Sequence, residues 1–353
     1  MPSPDLRTEV LRHLGPHRPA WDRIVADQPL PSPFLRSWWV EHAAGAEPCI
    51  VACFDGDALL GGAAFELDRL GPGGRGPERV RCLGQGVLAP DHLDLVAAAG
   101  QHRRVARAVL AWLRRPGARV LDLDGLAATG TLATLFSPFE VERVAAPFAD
   151  LGVGIDEYLA GRPGKVRSTI SRTSKRFARE GVTLDTVGAD APSAQLDAAL
   201  DDLARLHDSR WSDDSAFLSG WDRVRAAVHT GVERGDVRLH RLLDQQGGAV
   251  AVELDLCVGP RVGFYQAGRR TEREWRGCGS VLRARIIEAA VAEGATEYDL
   301  LRGDEGYKAE WATGRRELVH CVAGVGPLGQ VAVLARRWRH ELVHRRSADT
   351  STD

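Results

Sequence analysis

A chain of 353 residues, 44% hydrophobic and 27% charged, has the make-up of a soluble globular protein and the length for two ordinary domains. Its formal net charge of −2 excludes a chain built throughout for nucleic acid, so any such contact is a local patch and DNA binding is not expected. No apolar run reaches the length of about 18 residues that a membrane helix needs, so no membrane insertion is expected.

The N-terminus, Met1-Pro2-Ser3-Pro4-Asp5, lacks the charged and apolar regions of a signal peptide. Six scattered cysteines, Cys49, Cys53, Cys82, Cys257, Cys278 and Cys321, read as reduced thiols, and the expected location is cytoplasmic. Cys49 and Cys53 have no second pair or histidine cluster beside them, so no metal site is expected.

Residues 1–30 read as helical pieces broken by Pro16, Pro19 and Pro29. Pro31-Ser32-Pro33-Phe34-Leu35 leads into a short helix carrying Trp38 and Trp39, which read as core aromatics. Cys49–Phe54 and Ala58–Leu67 flank an Asp55-Gly56-Asp57 turn, the pattern of a hairpin. Residues 71–77 form a glycine-rich loop, and 79–84 a further strand. Asp91-His92-Leu93-Asp94-Leu95-Val96 sets a histidine among carboxylates. It reads either as acid–base or acceptor-binding chemistry through Asp91 and His92, or as a polar loop before a core strand. His102–Leu113 is an amphipathic helix with Val105, Val109 and Trp112 on one face, and Arg119–Gly125 is a strand ending in carboxylates. A helix over Thr131–Phe139 and a segment 144–152 leave this first half.

The second half opens on a basic run. Arg167, Arg172 and Arg176 fall near one side of a helix, either a solvated face or a seat for a polyanion. Helices follow over Ala194–Arg210 and Trp221–Glu233, the first closing on Leu206-His207. Strands over Val237–Leu243 and Ala249–Val258 surround a Gln245-Gln246-Gly247-Gly248 turn. Glu253 and Asp255 share one face of the second strand. Partly desolvated, either could take a proton from an amine; the alternative is an exposed strand face with ordinary acids. A strand-like Gly263–Gly268 carries Gln266. Arg276, Gly277, Gly279 and Ser280 then open a helix, Val281–Glu293, whose free N–H groups suit a phosphate or pyrophosphate. The strand Thr296–Leu301 delivers Arg302, Asp304, Glu305, Tyr307, Lys308 and Trp311 where it ends, and strand ends in α/β sheets are where ligands bind. A last strand, Leu318–Gly324, precedes a basic helix over Val331–His344 and a disordered tail, 347–353.

Two of these segments carry a family resemblance. Trp275-Arg276-Gly277-Cys278-Gly279-Ser280-Val281 resembles the pyrophosphate loop of the GNAT acyltransferase superfamily, with Val281 where Gly or Ala is usual. Asp299-Leu300-Leu301-Arg302-Gly303-Asp304-Glu305-Gly306-Tyr307-Lys308 closely resembles the signature of its BioF2-like or CelD-like branch, related to the FemX-like aminoacyl transferases. The Ser-Pro-Phe turn, the Asp91–Val96 segment, the Arg-rich helix and the Leu206-His207 ending are also similar to that branch. The resemblance covers most of the chain and is sharpest over 157–311.

It implies an α/β fold of tandem GNAT-like domains, each a mixed, mostly antiparallel sheet flanked by helices. The expected division is 1–155, without a donor loop, and 156–346, with loop and signature. The implied reaction moves an acyl group from acyl-CoA, acetyl-CoA first, to an amine of a small or peptide-like acceptor, without a metal. Arg276, Gly277, Gly279 and Ser280 would hold the donor. Glu253 or Asp255 would be the base. Asp304 or Glu305 would hold the acceptor ammonium, and Tyr307 would protonate the leaving thiolate or alkoxide. Arg302, Glu305, Lys308, Trp311, Gln266, Asp91 and His92 would line the acceptor side; Asp304 and Lys308 could instead pair and brace their loop. Two alternatives stand beside this: an aminoacyl-tRNA donor, favoured by Val281 and the Arg-rich helix, and a non-catalytic binding protein, which a closed cleft would support.

Overall fold

The computed structural model describes residues 6–211 and 216–335. The predicted C-terminal helix beyond Ala335, and the 347–353 tail, lie outside the described residues. In chain order the elements are β1 (Arg7–Leu11), α1 (Arg18–Ala26), α2 (Ser37–Val40), β2 (Glu47–Asp55), β3 (Ala58–Arg69), β4 (Glu78–Cys82) and β5 (Val96–Ala97). Then come α3 (His102–Leu113), β6 (Arg119–Ala127), α4 (Thr131–Phe136), β7 (Glu140–Asp150), α5 (Ile155–Ala160), α6 (Gly164–Arg179) and β8 (Thr183–Val187). The rest are α7 (Ser193–Trp211), α8 (Trp221–Glu233), β9 (Val237–Leu243), β10 (Ala249–Val258), β11 (Arg261–Arg269), α9 (Cys278–Ala292), β12 (Glu297–Asp299), α10 (Gly306–Trp311) and β13 (Gly314–Val325).

The chain divides into two compact units that are not contiguous halves. One takes the residues up to Leu30, Ala44–Arg143 and those from Leu318; the other takes Pro31–Ala43 and Val144–Glu317. In the first, the strand order is β1-β2-β3-β4-β6-β13. Its first four strands are antiparallel, β4 and β6 are parallel across α3, and β13 closes antiparallel to β6. In the second, the order is β8-β9-β10-β11-β12-β7. Four antiparallel strands again meet a parallel partner, β12, across α9, and β7 closes antiparallel to β12. Both units thus hold the expected mixed, mostly antiparallel sheet, with one connectivity. Each is completed by a strand from elsewhere in sequence, so the Leu318–Gly324 strand, expected in the second half, belongs to the first unit's sheet.

Residues 7–11, expected within helical pieces, form the edge strand β1 instead; Thr8 and Val10 are β-formers paired along β2. Leu113, not Trp112, completes the buried face of α3, because 105, 109 and 113 keep strict i+4 spacing. Trp112 stacks on Phe65 at 5.9 Å from the rim of that face.

The second unit positions the site. Strand β10 is central and buried on both faces. Helix α9 is buried over most of its surface, with Val281, Leu282, Ile286 and Ile287 at most 2% exposed, since it has the sheet on one side and α5 and α6 on the other. Burying each such side chain is worth about 1.5–3 kcal/mol. Trp38 and Trp39 are fully buried, and Trp39 meets Tyr265 edge-on at 5.6 Å. Helix α7 lies on β11 at Gly268, where an added Cβ would fall 2.6 Å from Leu206 Cβ and 2.7 Å from the His207 backbone N. Gly268→Ala must therefore push α7 off the sheet and is expected to cost about 1–3 kcal/mol by urea denaturation. An unchanged midpoint would show that α7 is not seated on β11.

Candidate functional site

The site begins with a strand that loses its neighbour. β12 accompanies β11 only from Arg261 to Gly263, opposite Glu297–Asp299. On the other edge of β11, Leu254 pairs with Gln266 and Asp255 with Phe264, leaving Tyr265 as an extra, bulged residue. A bulge bends its strand, and beyond it the β11 edge opens into a cleft of about 760 Å³. Phe264, Ala267, Gly268 and Arg269 of β11 form one wall; Leu282 and Arg283 of α9 and Tyr307, Glu310 and Trp311 of α10 form the others.

The mouth of the cleft is the N-terminus of α9. Gly277 is its cap residue at φ 89°, a left-handed conformation that suits glycine, and no side chain caps the helix. A Cβ on Gly277 would also lie 2.8 Å from Thr173 Oγ1, so α6 packs against the turn. Gly277, Gly279 and Ser280 line the cleft with Arg269, Arg273 and Arg276. A second cavity of about 720 Å³ shares Arg273, Arg276 and Ser280 and adds Lys165, Arg172 and Arg176 of α6. Glu310 is the one acid on its lining, so the mouth is strongly cationic. Arg167, expected beside Arg172 and Arg176, is exposed and lines neither cavity. Val281 is fully buried, and its N–H donates to Gly277 O at 3.1 Å; it does not intrude on the cleft.

Behind the mouth lies a buried polar cluster. Glu253, 1% exposed, lines the cleft, whereas Asp255, 0% exposed, does not. The alternative of an exposed strand face is thereby excluded. Arg283 Nη2 donates to Glu253 Oε2 at 3.0 Å, and Tyr298 donates to Glu253 Oε1. Tyr298 Oη is also 3.3 Å from Asp255 Oδ1. The Arg283 guanidinium sits 4.0 Å over the Phe264 ring and 5.4 Å from that of Tyr307. Burial opposes its charge, but Glu253, Tyr298 and Tyr307 outweigh that and hold its pKa above the ordinary arginine value. Burial pushes the Asp255 carboxyl well above the usual carboxylate range, and Glu253 adds to the push. Burial likewise raises Tyr298. His240 Nε2 is 3.7 Å from Asp255 Oδ2, and burial, then Arg238, pushes its pKa down to about 4.

The Asp299–Trp311 signature divides between scaffold and wall. Asp299 accepts from Leu301 N at 2.9 Å and from Arg261 Nη2 at 2.7 Å, fixing the end of β12. Leu301 takes φ 55°, a left-handed conformation uncommon for leucine, and Gly303 φ 111°. Gly303 N donates to Ala145 O at 2.9 Å. Lys308, 4% exposed, donates to Arg302 O and lies 3.0 Å from Glu305. The loop is thus braced by Lys308 through Glu305, not through Asp304, which is exposed. Trp311 O accepts from Tyr158 Oη at 2.7 Å and Arg162 Nη1 at 2.8 Å, anchoring α10.

Of the residues singled out by sequence, the structure gathers Glu253, Arg276, Gly277, Gly279, Ser280, Tyr307 and Trp311 around the cleft. Asp255, Gln266, Arg302, Asp304, Glu305 and Lys308 are absent from its wall. Asp91 and His92 are buried in the first unit, His92 at φ 55°. Sequence reading missed Phe264, Arg269, Arg273, Arg283 and Tyr298. Arg283 had a signal: an arginine four residues after Gly279, on the same helix face as that glycine and flanked by Leu282 and Ala284.

A parallel pair that parts, a bulged strand and an uncapped glycine turn opening a helix are features of a GNAT-like fold. Residues 164–309 match the family model of an acetyltransferase (GNAT) domain. FemX is similar in structure at TM-score 0.62 and 12% identity, with 89% of this chain and 96% of that one covered. A conserved protein of unknown function from Bacteroides thetaiotaomicron VPI-5482 is similar at TM-score 0.55 and 10% identity, covering 90% and 100%. The C-terminal domain of a proposed lysylphosphatidylglycerol synthetase from Agrobacterium fabrum is similar at 0.53 and 12%, covering 91% and 95%. No curated protein matches the chain in sequence. No helix among the described residues is long and apolar enough to cross a membrane.

The Arg283–Glu253 pair has a direct energetic consequence. Arg283→Met leaves a buried carboxylate without its cation and is expected to lower stability by about 3–5 kcal/mol in urea denaturation. A loss under about 1 kcal/mol would mean that the pair behaves as a solvated surface bridge.

Proposed function

We propose that the chain is an N-acyltransferase that moves an acyl group from acyl-CoA, acetyl-CoA first, to an amine. The observation that carries this reading is the joining of the open β11 edge to the uncapped, arginine-ringed N-terminus of α9 in one cleft. A phosphate-bearing donor meets three arginines and the free N–H groups of a helix turn at the mouth. Its arm can run inward along unpaired strand backbone. This geometry speaks against the closed cleft that a non-catalytic protein would have.

In this reading the acceptor amine attacks the carbonyl carbon of the thioester, and the C–S bond breaks. Glu253 takes the proton the amine loses, directly or through a water, since each carboxylate oxygen keeps a second lone pair beyond its bond to Tyr298 or Arg283. Tyr307, on the cleft wall, gives a proton to the departing thiolate. No step needs a metal, because positioning and charge stabilisation suffice. The acceptor is a small or peptide-like amine, and the compartment is the cytoplasm. Asp304, at the exposed start of the signature loop, would meet the incoming ammonium.

The second reading keeps the fold and changes the donor to an aminoacyl-tRNA. The run of cations from Lys165 through Arg172 and Arg176 to Arg273 favours it, because it extends the positive surface away from the cleft mouth. Calorimetric titration with acetyl-CoA, longer acyl-CoAs and desulfo-CoA separates the two. Binding that falls at least about tenfold, or 1.4 kcal/mol, in Arg276→Ala combined with Gly279→Val establishes a coenzyme A donor. No binding by folded protein would overturn that reading and make aminoacyl-tRNA the donor to titrate.

A further inference from the structure

The cluster behind the cleft sets a problem of proton counting. Tyr298 Oη touches Glu253 Oε1 and is 3.3 Å from Asp255 Oδ1. A phenol has one proton to give, and an ionised carboxylate has none. Tyr298 therefore cannot donate to both. The Arg283 guanidinium, 3.0 Å from Glu253 Oε2, marks Glu253 as the ionised member.

We propose that Asp255 is a neutral carboxylic acid in the folded protein, donating to Tyr298 Oη while Tyr298 donates to Glu253, so that Asp255 and Tyr298 are positioning residues that hold Glu253 as a carboxylate at the cleft wall. The chain Asp255–Tyr298–Glu253–Arg283 then has a proton in every link and one buried charge pair. Asp255 Oδ2 is buried and accepts no hydrogen bond among the described residues. That is cheap for the carbonyl oxygen of an acid and costly for a carboxylate.

The groups facing Asp255 agree. Burial, then Glu253 on its own strand, disfavours a negative charge there and outweighs Arg283 on α9, the Tyr298 hydroxyl on β12 and Arg238 on β9, which favour one. Arg283 is engaged by Glu253, and Arg238 by Glu293. His240 on β9 stays neutral near pH 7, since its pKa is pushed down to about 4, and its Nδ1 is 3.0 Å from Thr186 Oγ1. Cys257 remains a thiol, its pKa raised to about 12. Burial drives the Asp255 carboxyl in the same direction.

The service to catalysis rests on the function proposed above; the proton count does not. Full-length protein labelled with 13C at the aspartate side-chain carboxyl is examined by infrared spectroscopy at neutral pH. A labelled carboxylic-acid band is expected in the wild type and is lost in Asp255→Asn. The comparison separates Asp255 from Asp94, whose carboxyl is also raised by burial. Should Asn not fold, Asp255→Glu keeps an acid and removes it from the label. In parallel, the folding equilibrium of wild type relative to Asp255→Asn is followed by urea denaturation from about pH 5 to about pH 8.5. A raised carboxyl binds a proton in the folded state that the unfolded chain has released. Its stabilisation is present at low pH and is lost as pH rises towards the folded value. The wild-type constant should fall relative to the variant by up to about tenfold per pH unit. No band difference, or parallel stability curves, overturns the proposal. A band in a protein that binds no acyl-CoA would refute the donor reading and leave the proton count standing.

Discussion

Withdrawing an arginine and a glutamate from water costs several kcal/mol per ion, and the attraction between them repays this only when every remaining polar valence is met. Arg283 and Glu253 are 6% and 1% exposed, and the second unit supplies most of their partners, with Arg283 Nε alone of the pair's polar atoms left without one among the described residues. Aromatic rings from β11 and α10 cover the guanidinium face, and Tyr298 comes from β12 to the carboxylate. The strands and helices that frame the cleft therefore meet at one ion pair. Its placement decides which oxygen of Glu253 faces which donor, and so what the cleft presents to a reacting amine.

The sheet parts beside this pair, at the bulge of β11. A strand that leaves its partner exposes unpaired N–H and C=O groups, which must find water or a ligand. β11 does so after Gly263, next to its bulge at Tyr265. Tyr265 packs into the aromatic cluster of Phe34, Trp39 and Phe217, with ring centroids 5.4 to 5.9 Å apart. The bulged side of the strand is thereby anchored in a dry core. The open edge becomes the long wall of the cleft.

Much of this was legible in the sequence, and the reasons differ by residue. Helix α8 and strands β9 and β10 fall at their predicted bounds because strong periodicity and sharp turn residues fix them. The glycine turn was legible because only glycine suits Gly277's backbone. The Asp299–Trp311 signature was legible as a motif but not as a division of labour. Asp299, Gly303, Glu305 and Lys308 hold the loop, and Tyr307, Glu310 and Trp311 reach the cleft. Sequence spacing cannot tell a brace from a wall, because both need fixed residues at fixed distances. Arg283 and Tyr298 were hidden for another reason: each becomes polar chemistry only through strands distant in sequence. The exchange of closing strands was invisible too, since a strand's pattern does not name its neighbour.

The first unit shows what the common connectivity does and does not provide. β4, α3 and β6 repeat the order of β11, α9 and β12, with the same parallel pairing. Yet α3 opens after Gln101 at φ −101°, not after a left-handed glycine. Side chains bond to one another around its start: Gln101 accepts from Arg104 at 3.1 Å, and His102 lies 3.3 Å from Gln28 Oε1. Gln28 in turn donates to Ala97 O at 2.9 Å, on the short strand β5 that pairs with β3. No side chain caps α3 either, so the contrast with α9 lies in the turn that opens the helix and in the arginines around it, not in a cap. Two units with one strand order therefore differ in chemistry through a few local choices: a glycine turn, a bulge, and an arginine placed one turn inside a helix.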